Sequence, residues 1–222
     1  MKSNFKTLSL NLISLKVIVL YLLFFVQSIS IGQNDSISNS LSLDDFFTET
    51  EEAPSLLPEK MLITQRVLWG NRGLMRNFSY FDLTAENRQR ELNIRRYMLS
   101  AHQILGFVTL GGMIAQGFVG AKLYTDNSYK DIHETLGIGV NLTYFTTASL
   151  SLFAPPKMFN ERKGLSSIKI HKYLGVLHLS TMILTNILAE PAADNPIFKP
   201  YHRAAAFTAF GSFAASIIVI TF

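Results

Sequence analysis

Long apolar segments alternate with short polar ones over the second half of the chain. Each of four such segments approaches the ~20 residues that cross a hydrocarbon layer of ~30 Å. Their approximate bounds are residues 99–123, 132–154, 170–189 and 202–222. The polar stretches between them are short and rich in Pro or Asn, as in connections between antiparallel helices. The pattern predicts an all-α fold, a membrane-embedded antiparallel four-helix bundle over residues 97–222.

The first part of the chain resembles an export signal and a linker. Residues 1–32 combine a basic start, a dense apolar run at 17–26 and small residues at Ser30 and Gly32, as in a signal peptide. Cleavage after Gly32 is favoured, and an uncleaved anchor helix is the alternative. Residues 33–57 are rich in Ser, Asp and Glu, which predicts a flexible acidic linker.

Residues 58–96 are predicted to form a short helical segment outside the membrane. Apolar and polar side chains alternate at helical spacing from 59 to 69. Two interpretations are open: an amphipathic helix on the membrane interface anchored by Trp69, or a short helix packed on the extramembrane end of the bundle. Thr84 is a predicted N-cap, and the helix after it is expected to run directly into the first apolar segment.

The composition is typical of a membrane protein and excludes several kinds of site. Apolar residues make up 48% of the chain and charged residues 16%, which is too apolar for a soluble domain of this length. The absence of cysteine excludes disulfides, iron–sulfur clusters, thiolate metal sites and c-type haem attachment. The net charge of +4 is modest and the basic residues lie between the apolar segments, so nucleic-acid binding is not indicated. No carboxylate pair, Ser-His-Asp set or phosphate loop is present, and no catalytic residue is predicted.

Four of the five histidines stand at the starts of the four apolar segments, each with a small residue one helical turn further in. The pairs are His102 and Gly106, His133 and Gly137, His171 and Gly175, and His202 and Ala206. Residues i and i+4 share a helix face, so each imidazole stands beside a notch where a flat ring could lie. Alternating helix directions put the first and third histidines near one membrane face and the others near the opposite face. Since ionisable residues inside membranes are costly and usually functional, this spacing predicts two bis-histidine haem sites.

The three His-x-x-Leu-Gly openings and the histidine that starts the fourth segment resemble the cytochrome b561 family, including its bacterial and DOMON-associated, ferric-reductase-like branches. The resemblance covers about residues 95–222. It implies two b-type haems held between alternate helices, so that His102 would pair with His171 and His133 with His202. Family members move electrons across a membrane, from ascorbate or another reductant to ferric iron or a redox partner.

The chain departs from that family in three respects. It has four predicted spans where eukaryotic members have six, and Ala206 stands where the other segments have glycine. It also has no recognisable ascorbate or ferric-chelate motif, so a substrate cannot be carried over from the family. A transmembrane oxidoreductase activity of the b561 type is therefore left open.

Further side chains beside the histidines are candidates for the same sites. Arg95, Lys172 and Arg203 are placed to meet haem propionates at the membrane interface. His178 lies two turns inside His171 on nearly the same face, ~10 Å deeper. It is either an alternative iron ligand or part of a proton or quinone site, and its depth favours the second role.

The expected protein is an integral, multi-pass protein of a bacterial inner membrane. Its electron donor would be a quinol or a cytoplasmic or periplasmic reductant, and its acceptor is open, as are a homodimer and a periplasmic redox partner. A signal peptide would place residue 33 outside, whereas the basic stretch at 155–172 favours the cytoplasm, and the signal peptide is narrowly preferred. Two other functions stay open: a non-catalytic membrane subunit, and a transition-metal-binding membrane protein whose histidines hold no haem.

Overall fold

A computed structural model describes residues 55–158 and 164–221 of the chain. All regular elements of these residues are helical, which confirms the predicted all-α class. The α-helices are α1 (Ile63–Trp69), α2 (Ala85–Leu123), α3 (Lys130–Leu152), α4 (Ser167–Asp194) and α5 (Lys199–Thr221). Short 3₁₀ turns occupy Leu74–Asn77, Ser79–Phe81, Asn127–Tyr129 and Pro196–Phe198. The predicted signal peptide and most of the predicted linker lie outside the described residues.

Three helical segments of the described chain are long and apolar enough to cross a membrane. They are Ala85–Leu123, Ser167–Asp194 and Pro196–Thr221. The predicted second span forms α3, which is less apolar because hydroxyl and amide side chains interrupt it. The hydroxyls of Thr143, Thr146 and Thr147 donate to carbonyls one turn back on the same helix, at 3.1, 2.7 and 2.7 Å. The length and composition of three helices thus indicate a membrane protein.

Side-chain caps stand at the starts of α2 and α4. The Thr84 hydroxyl accepts from the backbone N–H of Asn87 at 3.2 Å, and α2 then runs unbroken through the polar stretch and the first apolar segment, as expected. The α4 helix extends beyond the predicted end at 189, through Pro191 to Asp194. Proline lacks an N–H to donate, but its carbonyl still accepts from the Asn195 N–H at 2.9 Å, so the last turn closes.

The four long helices pack as two hairpins, α2 with α3 and α4 with α5. Both hairpins are antiparallel: Gln116 near the end of α2 contacts His133 near the start of α3, and His171 near the start of α4 contacts Ser216 near the end of α5. Contacts between the hairpins are sparser and include those of α2 with α5. A small apolar core fills the middle of the structure: Met113, Val140, Tyr144, Met182, Ala209 and Phe213.

The segment before α2 packs on the end of the first hairpin. The Trp69 ring is buried, and its Nε1–H donates to the Phe153 carbonyl at 2.9 Å. The Thr64 hydroxyl donates to the Leu152 carbonyl at 2.7 Å. The segment therefore forms a short helix that packs on the end of the bundle, and the buried Trp69 side chain is part of that packing.

A buried ion cluster holds this end together, and the sequence analysis did not foresee it. Glu91 is fully buried and contacts the guanidinium groups of both Arg76 and Arg88. Arg88 also donates to the Leu56 carbonyl at 2.9 Å and to the Pro156 carbonyl. The cluster thus ties residues before α1 and after α3 to the first turns of α2.

Candidate functional site

His102 on α2 and His171 on α4 face each other between the two hairpins, and we call them the first histidine pair. Their ring centroids are 6.2 Å apart and their planes are inclined by 84°. The Nδ1 atom of His102 lies 2.9 Å from the Thr147 carbonyl oxygen, and that of His171 lies 2.9 Å from the Ser216 carbonyl oxygen. Because a carbonyl only accepts, each Nδ1 carries the proton and donates. In the neutral rings, both Nε2 atoms therefore keep a free lone pair.

Open space adjoins this pair on α2. Gly106, one turn inside His102, is buried, yet a Cβ atom built on it would meet no other atom within 4 Å. On α4, a Cβ built on Gly175 would meet only the Nε2 atom of His178, at 3.9 Å. No side chain of another helix therefore fills the position beside either glycine.

His133 on α3 and His202 on α5 form the second histidine pair, with ring centroids 6.5 Å apart and planes inclined by 72°. The Nδ1–H of His202 donates to the Thr185 carbonyl at 3.0 Å. His133 differs, because its buried Nδ1 has no hydrogen-bond partner among the described residues. Gln116 on α2 instead places its amide nitrogen 3.3 Å from His133 Nε2 and donates to the His133 carbonyl at 3.0 Å.

Gln116 also changes the space predicted beside the second pair. A Cβ built on Gly137 would lie 3.2 Å from the Gln116 amide nitrogen, so the notch predicted there is filled by this side chain. On α2, a Cβ built on Gly120 would lie only 3.0 Å from Cε1 of His133, so glycine allows the imidazole to approach the helix closely. The half-buried Ala206 lies on α5, one turn inside His202.

The two pairs lie far apart along the helix axes. Gln116 and Gly120, which contact His133, are about 21 and 27 Å along α2 from His102 at 1.5 Å per residue. That separation is comparable with the ~30 Å thickness of a hydrocarbon core.

The basic residues expected to meet propionates have other partners in this structure. Arg95 donates to the Pro155 carbonyl at 2.7 Å, and Lys172 also interacts with a neighbouring group. The Arg203 guanidinium lies over the Tyr124 ring, 5.2 Å from its centroid, in a cation–π contact.

The fifth histidine is held in the core rather than opposite His102. The Nδ1 atom of His178 lies 2.6 Å from the hydroxyl oxygen of Tyr144. The rings of Tyr144 and Phe213 pack edge-on against it, with centroids at 5.6 and 5.1 Å. The imidazole that faces His102 is that of His171.

The spacing within each pair suits one metal ion bound axially between two imidazoles. Metal–imidazole nitrogen bonds are about 2.0–2.1 Å long. With ring bonds near those of a C–N bond, the ring centroid lies about 1.2 Å from each ring nitrogen. A bridging ion therefore sets the centroids about 6.5 Å apart, and the observed separations are 6.2 and 6.5 Å. Two axial ligands are what a porphyrin-bound iron takes from the protein.

The described residues contain no group of three or more His, Asp or Glu side chains arranged to hold a metal ion. Comparison with protein-family models, with curated proteins and with solved structures gives no match. The arrangement of the histidines within this chain therefore carries the argument about function.

Sequence reasoning missed the partners that orient the histidines. Three of these partners are backbone carbonyls, those of Thr147, Ser216 and Thr185, which any residue type supplies. The fourth partner is Gln116, and the His-x-x-Leu-Gly spacing gives no sign of its contact with His133. The one sign of Gln116 in the sequence is that it is a polar residue within an apolar segment.

Proposed function

We propose that this protein is a transmembrane electron-transfer cytochrome that holds two b-type haems, one at each histidine pair. The observation that carries the proposal is the presence of two imidazole pairs with centroid separations of 6.2 and 6.5 Å. Each pair joins the two hairpins, so its ligands come from alternate helices. When bound, haem supplies a one-electron carrier at each pair.

The residues around the first pair support this role best. The Nε2 lone pairs of His102 and His171 are the candidate axial ligands, and the carbonyls that accept from Nδ1 fix the ring orientation and raise ligand basicity. The open space beside Gly106 lies on the same helix face as His102. At the second pair, His202 is oriented in the same way, whereas Gln116 must release Nε2 of His133 before that nitrogen can bind iron.

The proposed setting is a four-helix membrane bundle in a bacterial inner membrane, with α3 as the fourth span. The hydroxyl groups of α3 bond to its own backbone, which lowers the cost of placing them in lipid. Midway along α3 and α4, Asn141 and Asn186 exchange two amide hydrogen bonds, at 2.8 and 2.9 Å. These bonds join the two hairpins and satisfy polar groups that lipid would leave unpaired.

The decisive experiment is a measurement of haem in the detergent-purified full-length protein from haem-supplemented cells. We expect a Soret band, a sharp reduced α-band of six-coordinate b haem, and close to two haems per chain by pyridine haemochrome assay. A variant with both His102→Ala and His133→Ala lacks one ligand in each pair and controls for adventitious haem. A colourless protein, or equal haem in this control, would overturn the proposal, and one haem per chain would restrict it to a single pair.

A further inference from the structure

A buried polar pair lies between the two histidine pairs. Tyr144 is 1% exposed, and its hydroxyl lies 2.6 Å from Nδ1 of His178. Tyr144 precedes Thr147 by one helical turn, and Thr147 supplies the carbonyl that holds His102. Tyr144 therefore lies about one turn, ~5 Å, inside that carbonyl along α3, and the backbone of His178 lies about two turns, ~10 Å, inside His171 along α4.

The hydrogen bond determines which nitrogen of His178 carries the proton. If Nδ1 donated instead, the hydroxyl proton of buried Tyr144 would have no acceptor among the described residues, so Tyr144 is the donor. The neutral imidazole then carries its own proton on Nε2. In this tautomer, Nε2 is a donor that the Tyr144 contact leaves unused.

The Nε2 atom of His178 faces the space beside Gly175. It lies 3.9 Å from the position that a Cβ on Gly175 would occupy, on the helix face shared with His171. Helical side chains lean towards the N-terminus, so the His178 side chain extends towards the first pair rather than away from it. A group that enters the space over Gly175 therefore meets an N–H donor on its inner side.

We propose that His178, oriented by Tyr144, directs its Nε2–H group at the inner edge of the haem held at the first histidine pair, and that this N–H dipole raises the midpoint potential of that haem. This inference rests on the proposed function. An N–H dipole directed at a group that gains an electron stabilises its reduced form. Tyr144 is a positioning residue, because it acts on the haem only through the tautomer and orientation of His178.

The test is a spectroelectrochemical titration of the purified holoprotein. His178→Phe should lower the potential of one haem, the one lost in His102→Ala, by an amount corresponding to about a tenfold change in the reduction equilibrium, ~59 mV for one electron. His178→Gln keeps an N–H donor and should restore most of the potential. Tyr144→Phe should lower the same potential by less, and the Tyr144→Phe/His178→Phe double variant should match His178→Phe alone.

Phe213→Leu is the control for packing, since it alters the same cluster and keeps the His178 donor. Two haems with unchanged potentials in His178→Phe would overturn the inference and leave the proposed function intact. Three other results would also overturn the inference. They are an equal shift of the potential in Phe213→Leu, additive shifts in the double variant, and loss of the haem in both His178 variants. If the unmodified protein binds no haem, the proposed function itself fails. The haem assay on the purified protein gives that result before any redox titration is made.

Discussion

Gln116 on α2 binds His133 on α3 at two points. Its amide nitrogen donates to the His133 carbonyl at 3.0 Å and lies 3.3 Å from Nε2 of the same residue. The same nitrogen fills the notch beside Gly137. The two histidine pairs thus have similar spacings but different surroundings. At the second pair, the Gln116 side chain contacts Nε2 of His133, the nitrogen that would bind iron.

We therefore expect Gln116→Ala to strengthen haem binding at the second pair. In this variant, haem does not have to displace the Gln116 hydrogen bond, which contributes about 1 kcal/mol, and the space over Gly137 is open. Titration of haem-free protein with haemin should show an affinity higher by up to about tenfold at this site. Gln103→Ala, which removes an exposed amide on the same helix, is the matched control. Weaker haem binding in Gln116→Ala would contradict this prediction and would show that the Gln116 amide favours haem binding at the second pair.

The pairing of the histidines predicts which variants share a defect. His102→Ala and His171→Ala should each remove one and the same haem, and His133→Ala and His202→Ala should each remove the other. Loss of either axial ligand opens the same site, while the remaining pair lies on the order of 20 Å away. Reduced-minus-oxidised spectra and haem content of the four variants check this. A shared defect of His102→Ala and His133→Ala would contradict the pairing.

His171 and His178 should respond differently to the same change. His171 faces His102, whereas His178 bonds to Tyr144, so His171→Ala should lose a haem and His178→Ala should keep both. Haem content per chain is the measurement. The reverse result would make His178 the iron ligand.

Gly106→Leu should abolish haem binding at the first pair without unfolding the chain. The side chain would enter the open space beside His102, where a Cβ meets no atom within 4 Å. Gly111→Leu is the control, because Gly111 lies on the same helix, is exposed and is equally uncrowded. Both changes also replace a glycine in the middle of a helix, and this replacement stabilises the helix by ~0.5–1 kcal/mol. Unchanged haem content in Gly106→Leu would show that the ring does not occupy this space.

The buried ion cluster predicts a large stability difference between two neighbouring glutamates. Glu91→Gln removes the charge that pairs with the buried Arg76 and Arg88, and breaking such a cluster costs about 3–5 kcal/mol. Glu86 pairs with Arg90 on the surface of the same helix, with side chains 78% and 40% exposed, and Glu86→Gln should cost ~1 kcal/mol or less. Thermal unfolding of the purified protein compares them. Similar unfolding midpoints would mean that the cluster is not essential to the fold.

Local sequence patterns were enough to predict the helical class, the approximate bounds of the apolar segments and the four histidines that begin those segments. Apolar length and i, i+4 spacing are local properties, so they are visible without a fold. The predicted cap at Thr84 is a signal of the same kind, since it acts within one turn of its own helix.

The orientation and the surroundings of those histidines depend on contacts that exist only in the folded bundle. The carbonyls that hold three imidazoles, the Tyr144–His178 bond and the Gln116–His133 contact all join residues on different helices. The packing of Trp69 against Phe153 depends in the same way on where α3 ends. Such contacts depend on the depth and rotation of one helix against another, which packing of the whole bundle sets and no local pattern encodes.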